Sequence, residues 1–231
     1  MTRFGVDFSF DPPTVPELLA ANVRFCIRYL SDVPAKNLTP PEARRLSDAG
    51  IDLVVVYQRT KAFMLEGHDA GVRDAAAARL QADACGMPSG RPIYFALDID
   101  PHPLTEAQWA AIDGYLDGAA EVLGQPAVGI YGGWAAIDRE CGDGRAAWGW
   151  QTSSWSAGRW SPLAHLQQYA HNVPLGSGLV DHDRATSDDF GQWRMHPMQL
   201  VSRAAWGARP PKNVTLLGRA AQHGTAAFKT A

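Results

Sequence analysis

The chain has 231 residues, enough for one large domain or two small ones, and its 46% hydrophobic and 19% charged content is that of a globular protein. A net charge of −3 and a sequence pI near 6.1 exclude a basic field for nucleic acid and a polybasic membrane patch. Cys26, Cys85 and Cys141 are odd in number and widely spaced, so they read as buried free thiols of a reducing compartment, not as a disulfide framework or a zinc knuckle. Eight Trp and six Tyr suit sugar rings as well as core packing.

Met1-Thr-Arg-Phe-Gly-Val-Asp7 runs straight into a strand pattern with no apolar leader before it. No run of about 18 apolar residues follows anywhere. The expectation is a product made in the cytoplasm without a signal peptide, a monomer with no membrane insertion, acting outside the membrane only if another factor releases it.

In chain order, Phe4–Ser9 reads as a first strand with Asp7 near its end, and Val15–Asn22 as a short helix. Val23–Leu30 is a second strand. Thr39-Pro-Pro-Glu42 is a helix start with Thr39 as cap, Pro40 in the first turn and Glu42 at the capping-box position; Gly50 ends that helix. Ile51–Gln58 is a third, nearly all-apolar strand, and Asp69–Cys85 an alanine-rich helix closed by Gly86. Arg91–Asp100 is the fourth strand. A capped helix runs from Thr105 to about Leu123, a fifth strand over Ala127–Tyr131 and a short helix over Trp134–Cys141. Ala147–Thr152, His165–Tyr169 and Gly178–Asp183 complete eight strands, with Trp155–Pro162 as a loop in place of a helix.

This alternation predicts an α/β fold, a compact (β/α) TIM-like barrel with its late helices reduced, over residues 1–194. A linker at 195–200 and a short tail at 201–231 follow. Active sites of such barrels lie at the C-terminal strand ends. Asp98 and Asp100, two residues apart, point to one face, and an apolar strand ending in paired acids needs partners or a task for them. Around them the strand ends supply Asp7, Tyr29, Tyr57, Gln58, Tyr131, Gln151, Gln168, Tyr169, Asp181 and Asp183, with Trp150 alongside and no obvious Lys or Arg. Asp183 alone also reads as the cap of a final turn. Glu66 is a loop acid of the solvated kind. A divalent-metal site from Asp98, Asp100, His102, Asp181, His182 and Asp183 is disfavoured, since His102 lies beyond Pro101 and His182 faces away from Asp181 and Asp183. No metal and no cofactor are expected.

Gly5-Val-Asp-Phe-Ser, Ile93-Tyr-Phe-Ala-Leu-Asp-Ile-Asp, Gly129-Ile-Tyr-Gly-Gly, Trp148-Gly-Trp-Gln-Thr, Leu166-Gln-Gln-Tyr and Val180-Asp-His-Asp together resemble the glycoside-hydrolase-like family known as domain of unknown function 1906. That family is similar in fold to the family 25 lysozymes. The resemblance implies a peptidoglycan glycan-strand hydrolase working through paired carboxylates: Asp100 as general acid with its pKa raised by burial and by Asp98, Asp98 or Asp181 as ionised partner, and Asp7 orienting the pair. Tyr131, Trp150, Gln151 and Tyr169 would bind sugar, with Tyr57, Gln58 and Gln168 in the same ring. In the lysozymes the second acid of the fourth strand is glutamate. Asp100 is one methylene shorter, about 1.5 Å, and misplacement of about 1 Å costs roughly 10²-fold in rate. The competing reading is a barrel that binds wall glycan without cleaving it.

Ser202-Arg-Ala-Ala-Trp-Gly-Ala-Arg-Pro-Pro211 resembles the entry segment of a peptidoglycan-recognition, amidase-like domain, as in modular phage or actinobacterial lysins. His223 is the one nearby ligand candidate where a catalytic zinc needs about three, so zinc amidase activity is not expected.

Overall fold

A computed structural model describes residues 3–195. The segment resembling an amidase start, with His223, lies outside the described residues. Eight strands close into a barrel in sequence order: β1 (Arg3–Phe8), β2 (Phe25–Leu30), β3 (Asp52–Tyr57), β4 (Ile93–Ala96), β5 (Val128–Gly132), β6 (Trp148–Thr152), β7 (Ala164–Leu175) and β8 (Gly178–Ala185). Helices α1 (Val15–Ala20), α2 (Pro40–Asp48), α3 (His68–Ala84), α4 (Glu106–Leu123) and α5 (Trp134–Gly142) follow the first five strands. Turns alone connect β6 to β7, as the Trp155–Pro162 stretch foretold.

Neighbouring strands from β1 to β7 are parallel, but β8 is antiparallel to both β7 and β1. A parallel return needs a crossover of a dozen or more residues, whereas Gly176-Ser177 between β7 and β8 permits only a hairpin. The N-terminal half of β8 therefore reaches the end of the barrel formed by the C-terminal ends of the other strands. Asp181 lies opposite Asp7, and Asp183 one layer deeper, opposite Gly5.

The helix ends follow from local chemistry. Thr105 and Gln108 form a reciprocal capping box on α4, which stops at Gly124. At α2 Thr39 accepts from the Glu42 amide, but the Glu42 side chain does not close the box. It turns inward to Arg28 of β2, with Arg28 Nε on Oε1 at 2.6 Å and Nη2 on Oε2 at 3.2 Å. A buried guanidinium needs a carboxylate more than a helix end needs a second cap. Phe8 covers this pair, its ring 4.5 Å from the Arg28 guanidinium carbon.

The opposite end of the barrel is plugged by aromatic rings. Phe190 is fully buried against Phe25, 4.7 Å between ring centroids, and its carbonyl accepts from Tyr94 Oη at 2.9 Å. Trp193 then pairs with Leu53. With that end closed, polar groups inside the barrel face one mouth.

Candidate active site

Alternation along the strands sorts the candidate residues into two sets. Asp7, Gln168 and Asp181 point inward and share one amide. Gln168 Nε2 donates to Asp7 Oδ2 at 2.7 Å and to Asp181 Oδ2 at 3.0 Å, while Tyr131 Oη donates to Gln168 Oε1 at 2.9 Å. The phenol fixes which way the amide faces, and the amide holds two carboxylates together. Asp181 also accepts from the Asn172 amide at 2.8 Å and lies 3.2 Å from His171 Nδ1. Tyr29 Oη reaches Asp7 Oδ1 at 3.4 Å.

Below this layer Asp183 is fully buried, and its Oδ1 accepts from Trp150 Nε1 at 2.8 Å. Its Oδ2 meets no N–H donor among the described residues. A proton retained on Asp183 and shared with Asp7 satisfies it. Burial pushes Asp183 well above the carboxylate range, and the charge of Asp7 adds to that. Burial, then the charge of Asp181, raises Asp7 to about 7, against the hydrogen bonds from Gln168 and Tyr29. Asp183 is thus an interior acid and not the cap of a final turn.

The fourth strand is shorter than its sequence suggests. Pairing stops at Ala96, so Asp98 and Asp100 belong to the loop that follows. Asp98 is half-buried at the mouth and accepts from Gln58 Nε2 at 3.1 Å. Its pKa is raised, mainly by burial and slightly by Asp181, with Lys61, the Gln58 bond and Lys36 pulling the other way. Asp100 is exposed, and its Oδ1 accepts from the His102 amide at 2.9 Å, the bond of a turn residue. The expectation that burial beside Asp98 would make Asp100 the acid is corrected: Pro101 bends the chain away and leaves Asp100 in solvent.

Other expected sugar ligands also lie elsewhere. Tyr57 and Gln58 are adjacent, so only one can face the mouth, and it is Gln58. Tyr57 packs outward on Phe63, 6.0 Å between rings. Trp150 faces inward but is fully buried, its ring tilted against that of Tyr131 with 4.4 Å between centroids as a floor under the acids, so it offers no open platform. Gln151 beside it points outward and ties the β6–β7 loop, donating to Ser156 Oγ at 3.0 Å and accepting from the Ser161 amide at 2.7 Å. Tyr169 stands on the outer face near His182 and Arg184. Glu66 is held in ion pairs with Arg59 and Arg73.

The mouth also holds a lysine, against the expectation of none. Lys36 is buried over the Tyr29 ring, its Nζ 5.0 Å from the centroid and 3.4 Å from Gln58 Oε1. It comes from a one-turn 3-10 segment, Pro34–Lys36, in the loop after β2, where no periodic pattern marks it. Burial lowers its pKa, and the charges of Asp32 and Asp98 oppose that.

An eight-stranded barrel whose one open mouth gathers acids, phenols and amides is the architecture of a glycoside hydrolase-like domain. Residues 17–187 match the Rv2525c-like, glycoside hydrolase-like domain, and the chain belongs to that family. It is 31% identical over 201 residues, 81% of this chain and 82% of the other, to a Mycobacterium tuberculosis protein provisionally named peptidoglycan hydrolase Rv2525c. The crystal structure of that Tat-secreted protein with L-tartrate superposes with a TM-score of 0.78 at 30% identity, over 83% of this chain and 98% of that one. The family 25 glycosyl hydrolase of Bacillus anthracis shares the fold, with a TM-score of 0.53 at 13% identity over 81% and 90% of the two chains. So does the catalytic domain of endolysin ply40 from Listeria bacteriophage P40, with a TM-score of 0.54 at 14% identity over 81% and 95%. The Tat-secreted relative overturns the expectation of a cytoplasmic product without an export signal, because it points to export. Among the described residues no helix is long and apolar enough to cross a membrane.

Proposed function

We propose that the barrel mouth hydrolyses the glycan strands of cell-wall peptidoglycan, with Asp98 as general acid and Asp181 as the ionised partner. The observation that carries this is the contrast between the two carboxyls. Asp98 is half-buried with a raised pKa and one side-chain donor, Gln58, whereas Asp181 is held by three donors. Glycosidases need this split: one acid that keeps its proton for the leaving oxygen, and one carboxylate that stays charged beside the oxocarbenium-like centre. Asp7, tied to Asp181 through Gln168, sets the position of that carboxylate. Asp183 keeps the floor neutral. The name of the mycobacterial relative supports the substrate class, and its secretion suits a substrate outside the cytoplasm.

The test is incubation with purified peptidoglycan, reading turbidity and new reducing ends. Wild type should release reducing ends and Asp98→Asn should not. One observation favours a second reading, in which the barrel binds glycan without cutting it: Asp100, at the lysozyme acid's place in the motif, faces solvent. Wild type that yields no reducing ends yet sediments with cell walls would establish that reading and end the first.

A further inference from the structure

At the rim of the mouth, two side chains that glycan cleavage does not call on, Ser153 and His171, form a relay with Asp181. Ser153 Oγ lies 3.0 Å from His171 Nε2, and His171 Nδ1 lies 3.2 Å from Asp181 Oδ2. Ser153 follows the end of β6, His171 lies on β7 and Asp181 on β8, so three neighbouring elements converge. We propose that Ser153, His171 and Asp181 form a nucleophilic triad that hydrolyses small acyl esters carried on sugar hydroxyls. The order of roles follows from the bonds. Asp181 is fixed by the Asn172 amide and Gln168, so it presents a set oxygen to Nδ1, which must then carry the hydrogen. That tautomer leaves the Nε2 lone pair facing Ser153 Oγ, as a general base must. Ser154 Oγ stands farther off, at 3.4 Å.

The turn after Ser153 is strained in the manner of functional turns, with Trp155 at φ 56° and Ala157 at φ 48°. The Trp155 amide makes no hydrogen bond among the described residues, so that turn carries an unpaired donor two residues from Ser153. In the reaction Ser153 Oγ bonds to the acyl carbon as its proton passes to His171 Nε2. The bond from that carbon to the sugar oxygen breaks, and the sugar oxygen takes the proton. Water, deprotonated by the same nitrogen, then cleaves the acyl-serine, returning the serine and releasing the carboxylic acid. The ester is placed on a sugar because Asp181 is shared with the mouth. That part rests on the glycan reading above, and the triad does not.

Three measurements on the full chain test this. A fluorophosphonate should label the protein, and peptide mapping should put the adduct on Ser153. Wild type should turn over p-nitrophenyl acetate, with Ser153→Ala losing about 10²-fold or more in kcat/KM, while Ser187→Ala at the other end of the barrel changes nothing. O-acetylated peptidoglycan should release acetate whether or not reducing ends appear, which separates this activity from glycan cleavage. Contacts that only brace the β7–β8 hairpin would not form the adduct. An unlabelled Ser153, or a folded Ser153→Ala variant that matches wild type, overturns the triad. Turnover of the chromogenic ester without acetate release overturns the sugar ester as its substrate.

Discussion

The two acids of the fourth strand differ by burial, and that difference decides their chemistry. Asp98 sits in the mouth on Gln58 with a raised pKa, while Asp100 caps its own turn in solvent. Asp98→Asn removes the transferable proton, so the rate of glycan cleavage should fall by about 10²-fold or more. Asp100→Asn can still accept from the His102 amide, so the rate should change little. Reducing-end assays on both variants check this, and a larger loss at Asp100 would reverse the assignment. The direction of the Asp98 shift also sets the pH profile: the acid works protonated, so the basic limb should lie above the ordinary carboxylate range. The sequence placed the pair but could not rank it, because the i, i+2 rule presumes a strand that pairing ends at Ala96. Elsewhere the same rule was informative. Tyr57 with Gln58, Trp150 with Gln151 and Gln168 with Tyr169 are adjacent pairs, and in each only one member can enter the barrel.

At the scale of elements, β strands and helix caps were legible because their signals are local: Thr105 with Gln108, Gly124, and the apolar run of β3. The reversal of β8 follows from the two-residue loop Gly176-Ser177, and it is what lifts Asp181 to the mouth and buries Asp183; a seventh strand read as ending at Tyr169 hid it, because β7 runs on to Leu175. Lys36 and the Arg28–Glu42 pair had no such signal, since they depend on which loops and helices meet in space. The α3–α4 contact is another long-range feature, and it rests on two glycines. A Cβ on Gly118 would overlap the backbone carbonyl of His68, and one on Gly71 that of Tyr115. Gly118→Ala should therefore cost about 1–3 kcal/mol despite better helix propensity. Gly114→Ala, one turn earlier on α4, meets its nearest atom at 3.5 Å and should gain up to about 1 kcal/mol. Urea midpoints of the two variants should move in opposite directions.

For the molecule as a whole, the buried acids make stability depend on pH in an uncommon direction. Asp7 is raised to about 7, Asp183 is raised well above the carboxylate range, and Glu140, fully buried with neither oxygen hydrogen-bonded among the described residues, is raised to about 8. Between about pH 5 and 7 the folded state holds protons that the unfolded chain has already released, so these groups cost stability as pH rises. His165 and His182, both lowered chiefly by burial, act with the opposite sign through their own range. The difference between variant and wild type cancels the histidines. Asp7→Asn and Asp183→Asn each remove one retained proton, and each should flatten the slope of stability against pH by up to about 1.4 kcal/mol per pH unit. Asp183→Asn keeps the acceptor for Trp150 Nε1 and offers Asp7 a hydrogen, so it should match wild type near pH 5 and exceed it near pH 8. Asp183→Ala leaves the indole N–H unpaired in the interior and should lose about 1–3 kcal/mol at the acid end of that range. Chemical denaturation of the three variants from pH 5 to 8 measures all of this. A curve for Asp183→Asn parallel to wild type would mean that Asp183 retains no proton in the folded state and that the barrel floor is charged, against the direction that burial imposes on it.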